Sequence, residues 1–342
     1  DYKIIKKNIP FLITSDIPFN IKEKQFPGIT EYEFPAGDEA YHTYDEVIES
    51  LTGYAKAHPT FVEYFSLGKS FEGRDIPAIR ISNKNKSNLP GILFTGSHHA
   101  REHLSTEVPM LLIKHLIDNY DSNQRIKELI NNREIVFAPL INPDGALYDI
   151  SDKQYRVWRK NMHSSNNTTY GVDLNRNYSY GWGGAGSSSS PGSDIYRGEE
   201  PFSEPETSAV KTFIEQNSNI KIILSFHTYS ELILYPWGHQ NQGVGGDDQK
   251  VFETMAQTMA AWNGYRPKQA SGLYIASGDT CDWAYGEHNI FCFTFELTPR
   301  FSWGPFGFYP GPKVIQPTFQ ANIKPALYLI DKSKDPYQVL LR

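Results

Sequence analysis

The segment Gly96-Ser97-His98-His99-Ala100-Arg101-Glu102-His103 holds an imidazole, His99, and a carboxylate, Glu102, three positions apart with Arg101 between them. That spacing places both groups on one side of a tight turn or first helical turn, as two ligands of one divalent metal must be. A mixed nitrogen and oxygen donor set suits zinc, and a catalytic zinc asks for one more protein ligand and an open position. The same pair is also what an ordinary surface ion pair looks like, and such a pair contributes little. His227 supplies the missing ligand: in Ser225-Phe226-His227-Thr228-Tyr229-Ser230 it closes an apolar run where polar residues begin. Alone it reads as a structural histidine; with His99 and Glu102 it completes a His2Glu set.

Hydrolysis at such a metal needs a base. Glu296 is the sole charge in Phe291-Cys292-Phe293-Thr294-Phe295-Glu296-Leu297. Burial raises a carboxyl pKa and a nearby cation lowers it, leaving a group able to take a proton and return it. The bland alternative is a buried acid paired with an arginine, but an isolated acid in an apolar strand is costly without a purpose. Two polar stretches offer anion-binding groups. Asp173-Leu174-Asn175-Arg176-Asn177 sets an arginine between two amides, and a guanidinium grips a carboxylate bidentately. Trp158-Arg159-Lys160-Asn161 offers a second guanidinium to a developing oxyanion. By spacing alone, both read equally as solvated surface charge.

The elements that must position these groups follow from pattern. Apolar runs at 92–95, 135–140, 220–226 and 291–296 predict buried strands. Helical patterns lie at 106–120, 123–131, 203–217, 247–262 and 312–332, with Pro317 near the start of the last and Pro325 expected to kink it. Thr43 with Glu46 and Ser203 with Glu206 are capping boxes, the first opening a helix that ends near His58-Pro59. Strands alternating with helices predict an α/β fold: a single domain built on a mixed, mainly parallel twisted sheet with helices on both faces. Ligands bind such sheets at the carboxyl ends of strands. His99, Asn142, His227 and Glu296 all fall there. The 160–195 segment, rich in Ser, Gly, Asn and Tyr, is too long for a connector and reads as a functional surface loop.

Bulk properties narrow the classes. The 342 residues suit one large domain, and residues 1–36 lack a sustained period and read as an N-terminal extension or propeptide remnant before a domain at 37–342. A net charge of −6 argues against nucleic acid as partner. No run reaches transmembrane length, so no membrane partner is expected. The absence of a Gly-rich phosphate loop after a strand excludes a doubly wound nucleotide-binding protein. With only Cys281 and Cys292 there is no disulfide framework. Two buried thiols are the first reading and a single bridge the second.

In order along the chain, the His99/Glu102 turn, Trp158-Arg159-Lys160-Asn161, Gly171-Val172-Asp173-Leu174-Asn175-Arg176-Asn177, Ser225-Phe226-His227-Thr228-Tyr229-Ser230, Leu273-Tyr274, Asp282-Trp283 and Phe293-Thr294-Phe295-Glu296 resemble the zinc metallocarboxypeptidases of the funnelin type, with their secreted bacterial members as the nearest pattern. The resemblance implies one zinc per chain, held by His99, Glu102 and His227, with Asp173 orienting the first histidine. It implies Glu296 as general base and acid, and Arg159 as the group that stabilises the oxyanion. Asn175, Arg176 and Tyr274 would clamp the free C-terminal carboxylate of a peptide or protein substrate, with Arg101 as an auxiliary carboxylate site. Tyr229 would wall the penultimate side chain. A secreted, monomeric enzyme processed from a zymogen is the expectation that goes with this resemblance. The rival readings are a same-fold peptidase acting on cell-wall or glutamate-linked peptides, which usually loses or alters the clamp, and a catalytically dead binding module, against which Glu296 and Arg159 argue.

The positions matching the family's specificity pocket are Leu234, Gly238, Leu273, Ala276, Asp279, Cys281 and Thr294. Where the family sets an acid for basic substrates or a large aliphatic for apolar ones, this chain has Cys281, with Asp279 two residues earlier. That implies broad specificity, apolar or aromatic C-terminal residues first and basic ones second. Cys292 lies two residues before Thr294 on the same side of a strand, so a Cys281–Cys292 bridge beneath the pocket stays open. The Ser82-Asn83-Lys84-Asn85-Lys86-Ser87-Asn88 loop lacks the acidic cluster of a family calcium site, which puts that ion in doubt. Thr298-Pro299 is expected to be a cis bond, since relatives carry one there.

Overall fold

The four apolar runs form the centre of one sheet. The computed structural model describes residues 31–165 and 168–341. Its first helix, α1 (Tyr44–Ala57), opens with the expected capping box: Thr43 Oγ1 accepts from the Glu46 N–H while Glu46 Oε2 accepts from the Thr43 N–H. Strands β1 (Val62–Lys69), β2 (Asp75–Ile81) and β3 (Gly91–Thr95) follow, then helices α2 (Leu104–Asp118) and α3 (Gln124–Asn132). Next come β4 (Glu134–Ala138), α4 (Pro143–Asp149) and a ribbon of β5 (Ser164–Ser165) with β6 (Thr168–Thr169). The second half runs α5 (Pro205–Gln216), β7 (Ile220–Thr228), β8 (Leu232–Tyr235), α6 (Gly246–Asn263), β9 (Arg266–Gln269), α7 (Thr280–His288), β10 (Phe291–Leu297) and α8 (Ile315–Lys332).

Eight strands make one sheet in the order β1-β2-β4-β3-β7-β10-β8-β9. β4, β3, β7 and β10 run parallel to their neighbours; β1 and β2 extend that core antiparallel on one side, and β8 antiparallel on the other. Successive strand residues face opposite layers. Ile92, Phe94, Ile135, Phe137, Ile222, Leu224, Phe226 and Phe295 pack with α1, α2, α6 and α8, whereas Leu93, Val136, Ile223 and Cys292 pack with α5 and α7. Phe94 stacks on Phe137 with centroids 4.5 Å apart. Each such fully buried side chain stabilises the fold by roughly 1.5–3 kcal/mol relative to exposure. The sheet is therefore a rigid plate with both faces sealed, and only its strand ends are free to carry polar chemistry.

Several expectations change in detail. The helix expected over 203–217 starts at Pro205, and Ser203 is not its cap. Pro205 has no N–H to satisfy. The Ser203 hydroxyl instead donates to Glu204 and accepts from the Asn177 amide, pinning the long loop. α8 runs unbroken from Ile315 to Lys332 with Pro325 inside it. Thr298-Pro299 is cis, as expected. The two cysteines are not thiols: Cys281 and Cys292 are joined by a disulfide, because the N-terminal turn of α7 packs directly on β10. The expected extension falls mostly on residues 1–30, outside the described residues. From Glu31 onward the chain is tied to the domain: Tyr32 bridges Ser151, Phe34 is buried against Tyr41 and His103, and Lys153 lies between Glu31 and Glu33. Among the described residues no helix is long and apolar enough to cross a membrane.

Candidate active site

Parallel β3, β7 and β10 end side by side, and the chemistry-bearing residues gather at that edge. The turn after β3 is held tightly. A Cβ on Gly96 would lie 2.1 Å from the Ser105 carbonyl of α2, so only glycine fits. Ser97, in the left-handed region at φ 52°, donates its N–H to Ser105 Oγ. This backbone hook projects His99 and Glu102 towards His227 at the end of β7. All three are buried. His99 Nδ1 is 2.7 Å from Glu102 Oε1, His227 Nδ1 is 3.0 Å from Glu102 Oε2, and the two Nδ1 atoms are 3.2 Å apart.

Two imidazole nitrogens and two carboxylate oxygens aimed at one point are a donor set for a cation with a mixed N/O preference, as zinc has. Burial pushes Glu102 up, but the two imidazoles outweigh it and hold its carboxyl well below the usual range. The residues thus fit zinc. Around them, Asp173 is buried and does two things. Its Oδ1 is 3.2 Å from His99 Nε2, and its Oδ2 accepts from Arg159 Nε at 2.9 Å and Nη2 at 2.8 Å. One carboxylate thereby orients a metal-facing imidazole and a guanidinium together. Arg159, Arg176 and His99 outweigh burial and keep Asp173 ionised. Arg159 is tied to the same turn through its carbonyl, which accepts from the Ala100 N–H at 3.0 Å.

Glu296 lies beside this cluster, in register with His227 across the β10–β7 pair. Burial and the neighbouring Glu102 charge push its carboxyl up to about 7, against the opposing pull of His227, Arg159 and Arg176. On the opposite side, Asn175 and Arg176 sit in a one-turn helix capped by Asp173. Asn175 Oδ1 accepts from both the N–H and the hydroxyl of Thr280 at 2.9 Å. Arg176 is fixed by donation to the carbonyls of Gly186 and Asn175, and among the described residues its Nη2 makes no hydrogen bond. Tyr274, half exposed, lies with its ring 5.8 Å from the Arg176 guanidinium carbon. Arg101 stacks on Phe308 at 4.2 Å and donates to the Val157 carbonyl. Tyr229 packs its ring on Gly307, where a Cβ would collide at 2.2 Å, and its hydroxyl donates to the Gly304 carbonyl.

Beyond the clamp, the positions expected to shape a side-chain pocket converge. Leu234 of β8 pairs with Thr294 of β10, and Thr294 Oγ1 is 3.4 Å from Cys281 Sγ of the bridge. Asp279 caps α7 with Oδ1, which accepts from the Cys281 and Asp282 N–H groups. Its Oδ2 is buried with no hydrogen-bond partner among the described residues, and a Cβ on Gly238 would come within 2.9 Å of it. Burial and Asp282 push Asp279 up to about 7. Ala276 and Leu273 flank this wall, the Ala276 N–H bonding the Gly238 carbonyl. Residues that local reading missed are supports. Thr280 holds Asn175. Asp149 accepts from the Trp158 N–H next to Arg159, and from Tyr309 and His103. A lone aspartate in a short helix carries no local signal of that role.

His99, Glu102 and His227, gathered at the carboxyl edge of this sheet, form a donor set fit for the metal of a zinc hydrolase. The chain matches the family model for zinc carboxypeptidases over residues 47–324 and belongs to that family of hydrolases. It is 39% identical over 307 residues to a zinc carboxypeptidase of Saccharothrix mutabilis subsp. capreolus, covering 86% of this chain and 70% of that one. It is 32% identical over 309 residues to carboxypeptidase B of Astacus astacus, covering 87% of this chain and 98% of the relative. Among solved structures, thrombin-activatable fibrinolysis inhibitor superposes with a TM-score of 0.79 at 27% identity, covering 88% of this chain and 77% of that one. Carboxypeptidase A from Helicoverpa armigera superposes with a TM-score of 0.75 at 29% identity, covering 86% and 73%.

Proposed function

We propose that this chain releases single residues from the C-termini of peptides and proteins, with Glu296 as general base and acid. Zinc, when bound by His99, Glu102 and His227, would supply Lewis acidity to water and to the scissile carbonyl. The protein's own residues do the rest. Arg176, Asn175 and Tyr274 grip the terminal carboxylate, so that only the last peptide bond reaches the centre. Glu296 takes a proton from the attacking water and delivers it to the departing amine. Arg159, locked on Asp173, donates to the oxygen that gains charge as the carbon becomes tetrahedral.

The released side chain enters between Leu234, Thr294, Ala276 and the Cys281–Cys292 bridge. An uncharged floor of this kind takes apolar and aromatic side chains first, and Asp279 Oδ2 gives a basic head group a second-best partner. The observation that carries the reading is the clamp beside the metal donors: a buried guanidinium whose Nη2 makes no hydrogen bond among the described residues suits a substrate that ends in a carboxylate. Free and C-terminally amidated forms of one peptide test it. The amide should be cleaved at the last bond at least a hundredfold more slowly, since a buried partner is left unpaired; equal rates would remove the exopeptidase assignment. Parallel kcat/KM values for C-terminal Phe, Leu, Arg and Lys check the specificity, and a hundredfold preference for basic residues would sink it.

A further inference from the structure

A groove of about 470 Å3 lies beside the cleft, with Tyr229, Ser230, Arg266, Lys268, Leu273 and Phe301 among its walls. Tyr229, the expected wall for the penultimate side chain, and Leu273, next to Tyr274 in the chain, both line it. Its charge is one-sided. Arg300, also on the wall, is neutralised by Glu231 at 2.8 Å, and the other Glu231 oxygen already accepts from Thr298. That leaves Arg266, which donates weakly to the Ser230 carbonyl and lies 5.7 Å from the Phe301 ring, and Lys268, which donates to the Gly272 carbonyl at 2.6 Å. Among the described residues neither meets a carboxylate. Two uncompensated cations in one groove stand out in a chain of net charge −6. Phe301 on the same wall is 76% exposed, an apolar face beside the two cations.

We propose that this groove binds acidic residues of the substrate that precede the scissile bond, Arg266 and Lys268 receiving the carboxylates and Phe301 packing on the chain between them. The proposal rests on the carboxypeptidase reading of the cleft, since the chain leaving over Tyr229 is what reaches the groove. Rim charges of this kind act on encounter and on KM, and are screened by salt. The test uses substrates with one C-terminal Phe: a blocked dipeptide too short to reach the groove, and hexapeptides carrying Glu, Gln or Lys upstream. Wild type at low salt should prefer the Glu peptide over the Gln peptide by roughly tenfold, in KM rather than kcat. The preference should shrink sharply in R266Q and vanish at high salt, with dipeptide hydrolysis unchanged. Because Lys268 also touches the Tyr274 loop, R266E is the second variant and should invert the preference towards the Lys peptide. Equal hydrolysis of Glu and Gln peptides by wild type, or a preference that survives both variants, overturns the proposal. Failure to cleave even the dipeptide would instead refute the cleft reading beneath it.

Discussion

Glu296→Gln separates catalysis, metal binding and stability in one variant. The substitution keeps the side chain's size while removing the carboxylate that lies in register with His227 and is proposed as the base. Loss of a positioned general base lowers turnover by about 10²–10⁴. Zinc content should stay at one per chain, because His99, Glu102 and His227 converge without help from Glu296. The third signature lies in pH. In the zinc-free protein burial and Glu102 hold Glu296 at about 7 against an ordinary 4.5. Its folded pKa is raised, so it weakens the fold progressively as pH climbs from 4.5 through 7. The full deficit, on the order of 3 kcal/mol, is reached above that range. Glutamine carries no such deficit. Thermal unfolding of the chelator-stripped proteins should show the variant melting about 4 °C higher at pH 8.5 and level with wild type at pH 4. Activity that survives, zinc that is lost, or a melting difference that does not change with pH would each refute the reasoning.

Asp173→Asn strikes both groups that the carboxylate holds: zinc affinity, measured by competition with a chelator, should fall 10–100-fold, and kcat should drop even at saturating zinc because Arg159 is released. Asp279, held at about 7 by burial and Asp282, is neutral below that pH and charged above it. The ratio of kcat/KM for C-terminal Lys over Leu should therefore rise between pH 6 and 8 and stay flat in Asp279→Asn; a flat wild-type profile would show that Asp279 does not read the head group.

What the sequence disclosed follows from where the physics is local. The apolar runs around Phe94, Phe137, Phe226 and Phe293 reveal β3, β4, β7 and β10 because strands buried on both faces leave no room for polar residues. The position of His99, His227 and Glu296 just after or at the ends of those runs was enough to collect them at one edge. β9 escaped notice because Arg266-Pro267-Lys268-Gln269 has none of that pattern; it is an edge strand whose polarity faces solvent. β1 and β2 were missed for a related reason, the half-exposed outer ribbon mixing Lys69, Asp75 and Arg80 with its apolar positions. The Cys281–Cys292 bridge, left open by the sequence, and the Asp149 support span only 11 and 9 residues, yet both depend on how α7 packs on β10 and α4 on the loop before Arg159, which hydrophobic pattern does not fix. Ser203 was misread as a helix cap because its true partner, Asn177, lies 26 residues away.

The shared Asp173 carboxylate has a consequence for anyone who would redesign this enzyme. Because one side chain holds both His99 and Arg159, metal preference and oxyanion stabilisation are not separate dials. A change that lets the imidazole swing towards a larger or softer ion drags the guanidinium with it, so selections for a new metal and for a new transition state will collide at this residue. Variants at the two ends will deviate from additivity, and a successful redesign will have to give each end its own anchor before either is moved.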